Sequence, residues 1–394
     1  MNYILFDDST RINLLPLTFT RPVADIRIGI LTIREKWEKV LDKKVSSKTE
    51  EYLSGKFPAE YTIDTDNVWI NGSFCPNEKL IEEVKSLQPD QALLSAGVVI
   101  AVNTGNEKQF DHQSTDTFTK FESHALAMRI ENTWDIFSKN GEAIKSDFEL
   151  LTRGRKSLAL SSSNQVMGLE NIFVEEGAKV ECSILNASTG PIYIGKDAEI
   201  MEGSIVRGPL ALCEHATLKL GAKIYGPTTI GPHSKVGGEV NNSVIFGYSN
   251  KGHDGFLGNS VLGEWCNIGA DSNNSNLKNN YAQVKLWNYE KERFVSTGLT
   301  FCGLIMGDHS KCGINTMFNT GTVVGVNANI FGSGFPRNFV PSFSWGGAAG
   351  FTTYKINDAI EVATRVFERR GLVFDAKEQA ILSHVFELTE KYRK

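Results

Sequence analysis

"IGKDAEIMEGSIVRGPLALCEHATLKLGAKIYGPTTIGPHSKV", residues 194–236, returns an aliphatic side chain at every sixth position. Ile194, Ile200, Val206, Leu212, Leu218, Ile224, Ile230 and Val236 form the series, eight in a row, with Gly, Pro and Asp between them. Three short strands of six residues each close one triangular coil, so the sixth residue always points inward and stacks on its equivalent in the next coil. The spacing therefore predicts a left-handed parallel β-helix of hexapeptide repeats. Backbone groups in such a fold bond to the coils on either side, and a narrow interior favours Ile, Val and Leu over aromatic rings.

Beyond Val236 the count slips and resumes as Val244, Phe256, Leu262 and Ile268, with Asn250 at the missing place. The slip contains "NKGHDGFLG", residues 250–258, which is either a surface loop or a site. A second interruption, "YAQVKLWNYEKERFVSTGLTF" (281–301), is too long and too charged for the repeat and is expected to protrude as a loop. The repeat returns in "IMGDHSKCGINTMFNTGTVVGVNANIFG". Past "FPRNFVPSFSWGGAAGF", apolar residues at Ile360, Val362, Ala363, Val366 and Phe367, then at Ile381, Leu382, Val385, Phe386 and Leu388, predict two terminal helices that cover an exposed coil end.

Ahead of the repeats the pattern is different. "YILF" reads as a strand followed by polar "DDSTR", "GILTIREKWEKVL" has helical spacing, "NVWING" (67–72) reads as a second strand, and "PNEKLIEEVKSL" as helix. This succession predicts an α/β domain with ligands at the carboxyl ends of its strands. The expected organisation is α/β plus β: an α/β domain over 1–155, the β-helix over 165–347 and a helical appendage over 348–394.

A balance of 41% hydrophobic and 22% charged residues with net charge -5 has no basic surplus for nucleic acid. Two aspartates break the opening "MNYILFDDSTRINLL", and no run of 18 apolar residues occurs, so a cytoplasmic protein with no membrane segment is expected. Six cysteines without a C-x-x-C pair argue against a disulfide framework or a thiolate zinc site.

A filled β-helix interior leaves function to outer faces, loops or the seams between copies, so a homotrimer with sites between subunits is expected. His233 in "GPHSKVG" and His309 in "GDHSKCG" occupy equivalent turn positions and read as structural. His253 differs, lying between glycines, beside Asp254 and just before the core pattern resumes. A neutral imidazole is the commonest general base near neutral pH, and acylating an amine requires loss of an amine proton. The stretch "IGADSNNSNLKNN" (268–280) has five asparagines, which suit either a ladder along stacked coils or a ligand rich in hydroxyls and amides.

"KGHDGFLGNSVLGEWCNIGADSNNSNLKN" resembles the acetyltransferase domain of the bifunctional bacterial enzymes that make UDP-N-acetylglucosamine. The resemblance implies His253 as catalytic base, Glu239, Asn267, Lys223 and Phe256 at the acceptor sugar, and Ala270 and Asn276 at acetyl-CoA. The chain departs from that family at Asn241, where the family has a lysine, at Phe256, in place of its sugar-side tyrosine, and at Leu277, in place of its tyrosine beside the later asparagine. "STRINLLPLTFTRP" (9–22) resembles the signature of sugar-phosphate nucleotidyltransferases, with Arg11 on the signature arginine. Asp7, Asp8 and Ser9 replace its glycines and Val23 its lysine, while Arg21 and Arg27 are near enough to restore a phosphate-gripping charge. Ser73 stands where the family carries a Mg²⁺ aspartate, so either Asp7, Asp8 or Asp135 holds the ion or turnover is lost. With its "LPLT…RPVADIR" opening and "TGLTFCGLIMGDHSKCGINTMFNTGTVVG" body, the whole chain resembles a divergent group of these bifunctional enzymes. The resemblance implies an amino-sugar 1-phosphate, acetyl-CoA, UTP and Mg²⁺ as reactants, with UDP-N-acetylglucosamine and pyrophosphate as products.

Overall fold

The computed structural model describes residues 1–62, 64–106, 110–111 and 115–393. The chain divides into two compact units: Met1–Leu14, Thr20–Ile26 and Leu31–Asn132 form the first, and Leu15–Phe19, Arg27–Ile30 and Thr133–Lys394 the second.

In the first unit, six strands make one mixed sheet. Ser46–Lys48, Asn2–Phe6 and Asn67–Asn71 run parallel, and Val98–Asn103 joins antiparallel to the last of these. Both expected helices form. Ile33–Leu41 starts at a Thr32/Glu35 capping box, in which each side chain accepts from the other's backbone N–H. Its Trp37 is fully buried and donates its indole N–H to the Phe74 carbonyl at 2.9 Å. Glu78–Ser86 begins where the Asn77 side chain accepts from Leu80 N–H.

The second unit contains the β-helix. Its strands are two to four residues long and pair in parallel from coil to coil, giving sheets of six, nine and ten strands among the described residues. Val206 pairs with Ile224, Leu212 with Ile230 and Leu218 with Val236, so the sixfold series forms continuous inner columns. After Val236 the columns run one residue later than the spacing predicts through Leu257, then rejoin it at Leu262 and Ile268. Ile230 aligns with Ile245, Val236 with Lys251 and Val240 with Leu257, in place of Val244, Asn250 and Phe256. The cause lies at the corners, because the coil from Val236 to Lys251 takes 15 residues against 18 from Val206 to Ile224. Corner residues drop out while strand pairing is kept, so counting in sixes loses step.

One corner of eight successive coils puts a non-glycine residue in the left-handed backbone region. Asp197, His215, His233, Tyr248, Trp265, His309, Asn327 and Phe343 all have φ between 54° and 61°. Asn, Asp and His tolerate this conformation best, and the aromatic residues that also take it recover energy by stacking. His215 stacks on His233 at 4.8 Å, His233 on Tyr248 at 4.7 Å, and Tyr248 on Trp265 at 4.2 Å.

The 281–301 insertion is a folded hairpin, Lys285–Asn288 against Arg293–Ser296, and not a plain protruding loop. Val284, Leu286 and Tyr289 are buried while Phe294 is exposed, so its apolar face packs and its charged face meets solvent. Helices Ile356–Glu368 and Ala376–Leu388 form as expected, but they cover the side of the solenoid. Phe367 stacks on Trp265 at 4.0 Å and Phe386 meets Phe343 edge-on at 5.1 Å. The sheet edge is closed by Gly350–Thr353, which folds back antiparallel on Ser344–Gly347. Among the described residues no helix is long and apolar enough to cross a membrane.

Candidate functional site

In the second unit, the coil that carries Lys251 turns at residues 252–255 from the ten-stranded to the six-stranded sheet, and His253 stands exposed at that turn. Gly255 makes the turn possible. Its φ is +114°, and a Cβ there would lie 2.1 Å from the Ser272 carbonyl oxygen, so only glycine passes under the next coil.

Lys223, Glu239 and Phe256 are register partners on three successive strands of the six-stranded sheet. Adjacent parallel strands lie about 4.8 Å apart, so the three side chains make one continuous column beside the His253 turn. Tyr225 donates its hydroxyl to Glu239 Oε1 at 2.6 Å, and that hydrogen bond, with burial, pushes the phenol up to about 12. Asn276 reaches the same place from the next coil. A Cβ on Gly258 would come within 2.5 Å of the Phe256 ring and 2.7 Å of Asn276 Nδ2, so ring and amide meet over that glycine. Asn276 Nδ2 also donates to Asn259 Oδ1 at 2.8 Å.

The remaining two expected residues lie round the corner. Asn267 is on the ten-stranded sheet between Asn250 and Lys311, exposed and on a different face from the Lys223–Glu239–Phe256 column. Ala270 follows it one coil on from His253, where Asp271 N–H donates to the Asp254 carbonyl at 3.0 Å. His253 thus sits at the boundary of two faces, with Glu239, Lys223, Phe256 and Asn276 on one side and Asn267 on the other. Sequence reading missed Tyr225, and of the asparagines in 268–280 it gave a separate role to Asn276 alone. Asn273 accepts from Phe256 N–H at 2.8 Å and Asn274 from Gly258 N–H at 2.9 Å, so these two amides splice the strand carrying Phe256 to the next coil. Nothing in the local sequence separates these splicing amides from a ligand-facing one.

In the first unit, the carboxyl ends of Asn2–Phe6 and Asn67–Asn71 bring Asp7, Asp8 and Ser73 to one edge of the sheet. Asp7 accepts from Thr49 Oγ1 at 2.6 Å and Val23 N–H at 2.9 Å and faces Arg11 Nε at 3.4 Å. Burial raises its carboxyl to about 6 despite that arginine. Asp8 accepts from Thr10 N–H at 2.9 Å and Asn71 Nδ2 at 2.8 Å, and pairs with Arg129 Nη2 at 3.1 Å. Arg129 also contacts Ser73 Oγ through Nε at 3.3 Å and lies over the Phe74 ring. Each oxygen of both aspartates therefore already has a donor, and each carboxylate faces a guanidinium. That donor set does not fit a resident Mg²⁺, which asks for open carboxylate oxygens. Among the described residues no group of three or more His, Cys, Asp or Glu side chains could hold a metal. Asp135, in the second unit, pairs with Lys139 at 3.7 Å.

Of the three arginines expected to grip phosphate, Arg11 bonds the Tyr52 hydroxyl at 2.9 Å beside Asp7. Arg21 is buried in the same unit. Arg27 belongs to the second unit, where it is buried and donates to the Ile30 carbonyl. Arg129, absent from the sequence reading, is the residue that ties the two strand ends together.

Residues 3–156 match the family model described as sugar nucleotidyl transferase. The chain is 29% identical over 160 residues to a bifunctional sugar-1-phosphate nucleotidylyltransferase/acetyltransferase of Sulfurisphaera tokodaii, covering 40% of this chain and 37% of that protein. It is 29% identical over 167 residues to the bifunctional protein GlmU of Methanocaldococcus jannaschii, covering 42% and 33%. The chain thus spans little more than a third of the length of these curated relatives. Among solved structures, the polysialic-acid-specific acetyltransferase NeuO aligns with 54% of this chain and 99% of its own at 15% identity and a TM-score of 0.28. A UDP-N-acetylglucosamine acyltransferase of Francisella novicida aligns with 59% and 76% at 13% identity and 0.28. At those scores the likeness adds nothing to the strand pairing described above.

Proposed function

We propose that the chain is a bifunctional transferase of amino-sugar metabolism whose solenoid acetylates an amino-sugar 1-phosphate and whose first domain couples the product to UTP. The reading rests on one arrangement, an exposed imidazole at a glycine-bounded corner beside a column of Lys223, Glu239 and Phe256. The sugar nucleotidyl transferase match over residues 3–156 supports the second half, because the two activities handle successive intermediates.

In the acetyl transfer, His253 takes a proton from the sugar amine as the nitrogen attacks the thioester carbonyl of acetyl-CoA. The C–N bond forms, the C–S bond breaks, and coenzyme A leaves as the thiolate. Backbone N–H groups near Ala270 stabilise the oxyanion that develops in between. Glu239, held by Tyr225, accepts from sugar hydroxyls, Lys223 meets the phosphate, Phe256 packs on the ring, and Asn267 and Asn276 supply amide contacts. Because Asn267 lies on a different face from Glu239, the complete site needs a neighbouring copy to close it, and a homotrimer is proposed. Met167, Ile205 and Tyr225, exposed on the six-stranded face, supply apolar surface for that contact.

One observation favours a narrower reading of the first unit. Asp7, Asp8 and Arg11 are engaged within the protein, an arrangement that suits binding of a nucleotide or sugar phosphate without its turnover. An assay with glucosamine 1-phosphate, acetyl-CoA, UTP and Mg²⁺ separates the two. Release of both free thiol and pyrophosphate is expected of the bifunctional enzyme, and thiol without pyrophosphate of the narrower reading. His253→Ala should cut thiol release by roughly 10²- to 10⁴-fold with the oligomer intact. An unchanged rate removes the residue from the mechanism.

A further inference from the structure

We infer that Lys251 is a positioning residue for His253, an ammonium inside the solenoid that ties down the corner presenting the imidazole. The inference rests on the reading of His253 as the base.

Lys251 occupies a column that is otherwise free of charge. Val180, Ile200, Leu218 and Val236 precede it, and Ile268, Cys312 and Ile330 follow. It is only 1% exposed, and a lone ammonium is a poor occupant of such a core unless its N–H groups find acceptors. Two are present: the Gly237 carbonyl at 2.9 Å and the His253 carbonyl at 3.0 Å. The first belongs to the corner of the preceding coil and the second to the His253 corner, so one side chain joins the backbone of both from within. Most of the coil's shortening falls at the preceding corner, where Val236 to Val240 takes four residues against six from Leu218 to Ile224, while Lys251 to Leu257 keeps six. The Gly237 carbonyl of that cut-down corner and the His253 carbonyl of the full one both accept from the lysine.

The corner also packs closely on the backbone of the coil before it. Gly238 has φ +70°, and a Cβ there would stand 2.8 Å from both the His253 carbonyl oxygen and the Asp254 Cα. The glycine backbone and the ammonium thus both bear on the His253 carbonyl and hold its position. Burial lowers Lys251 to about 8, against the opposing charges of Asp254, Asp271 and Glu239. A neutral amine still carries two N–H donors, so the clamp survives titration and serves position instead of switching.

The test uses the full chain and follows thiol release from acetyl-CoA with glucosamine 1-phosphate. Lys251→Met, matched in length and without a donor, should lower kcat roughly 10- to 100-fold with the KM for acetyl-CoA within about twofold. Lys251→Gln, which keeps an N–H donor, should fall between Met and the parent. Adding Lys251→Met to His253→Ala should cost nothing further, since a residue that acts through the imidazole has no effect once the imidazole is gone. A parent-like kcat in Lys251→Met, or an equal added loss in the His253→Ala background, overturns the inference while leaving the base in place. Failure of both Lys251 variants to fold does the same, in favour of a purely structural lysine. Full activity in His253→Ala instead defeats the reading of the site itself.

Discussion

A buried carboxyl and a buried ammonium show how single residues in this protein carry opposite pH dependences. Asp7 has its carboxyl raised from 3.8 to about 6 by burial, so the folded chain holds that proton more tightly than the unfolded chain. Its contribution to stability is therefore complete below about pH 4 and is lost as pH rises through about 6. The shift corresponds to an order of 3 kcal/mol. The unfolding free energy of the parent, measured in denaturant relative to Asp7→Asn, should fall by roughly that amount between pH 4 and pH 7.5. A difference that stays flat would show that Asp7 is ionised throughout. Lys251 runs the other way: its folded value of about 8 lies below the ordinary 10.5, so its contribution is present above about 10.5 and lost as pH falls through 8. At neutral pH the cost of burying that charge and the roughly 1–3 kcal/mol cost of an unpaired carbonyl after Lys251→Met are of similar size. Stability is accordingly a weak probe of Lys251, whereas kcat is a direct one.

At the scale of the element, the coil is held by inner columns and outer corners in different ways. Leu212 is fully buried between Ile194 and Ile230, and its neighbours are fixed by strand pairing above and below. A cavity there has little room to collapse. Leu212→Ala should cost about 2–5 kcal/mol in chemical denaturation, and a loss under about 1 kcal/mol would mean that the coils close over the gap. The column positions were readable from sequence because a parallel ladder forces every sixth residue to the same place. The corners were not, because they tolerate deletions without breaking the ladder, and each deletion moves the count by one. Lys251 was hidden for this reason: a lysine one place beside the expected inner position reads as solvated until register places it inside. The aromatic ladder from His215 to Trp265 escaped for a related reason, since its members recur at unequal spacings of 18, 15 and 17 residues. His233 and His309 were legible as turn residues, but their stacking partners were not.

For the whole molecule, the proposed site, divided between two faces of the solenoid, predicts that acetyl transfer depends on assembly. Sedimentation equilibrium at micromolar concentration should return three times the chain mass of 43.5 kDa, and a monomer that transfers acetyl groups at full rate would refute the shared site. Sequence by itself determined the two architectures and their order, because periodicity is a local property: six-residue spacing dictates a solenoid, and alternating strand and helix patterns dictate an α/β sheet. It also pointed to the candidate residues, since a His between glycines stands out against a repeat. Only the tertiary structure decided what those residues touch. Lys223, Glu239 and Phe256 became one column through cross-strand register, and Asn267 was set on another face by a corner. Lys251 was turned inward by a shortened coil, and Asp7 and Asp8 were paired with Arg11 and Arg129, the latter more than a hundred residues away. Register and long-range pairing depend on how the chain closes on itself in space, and no window of sequence contains that distance.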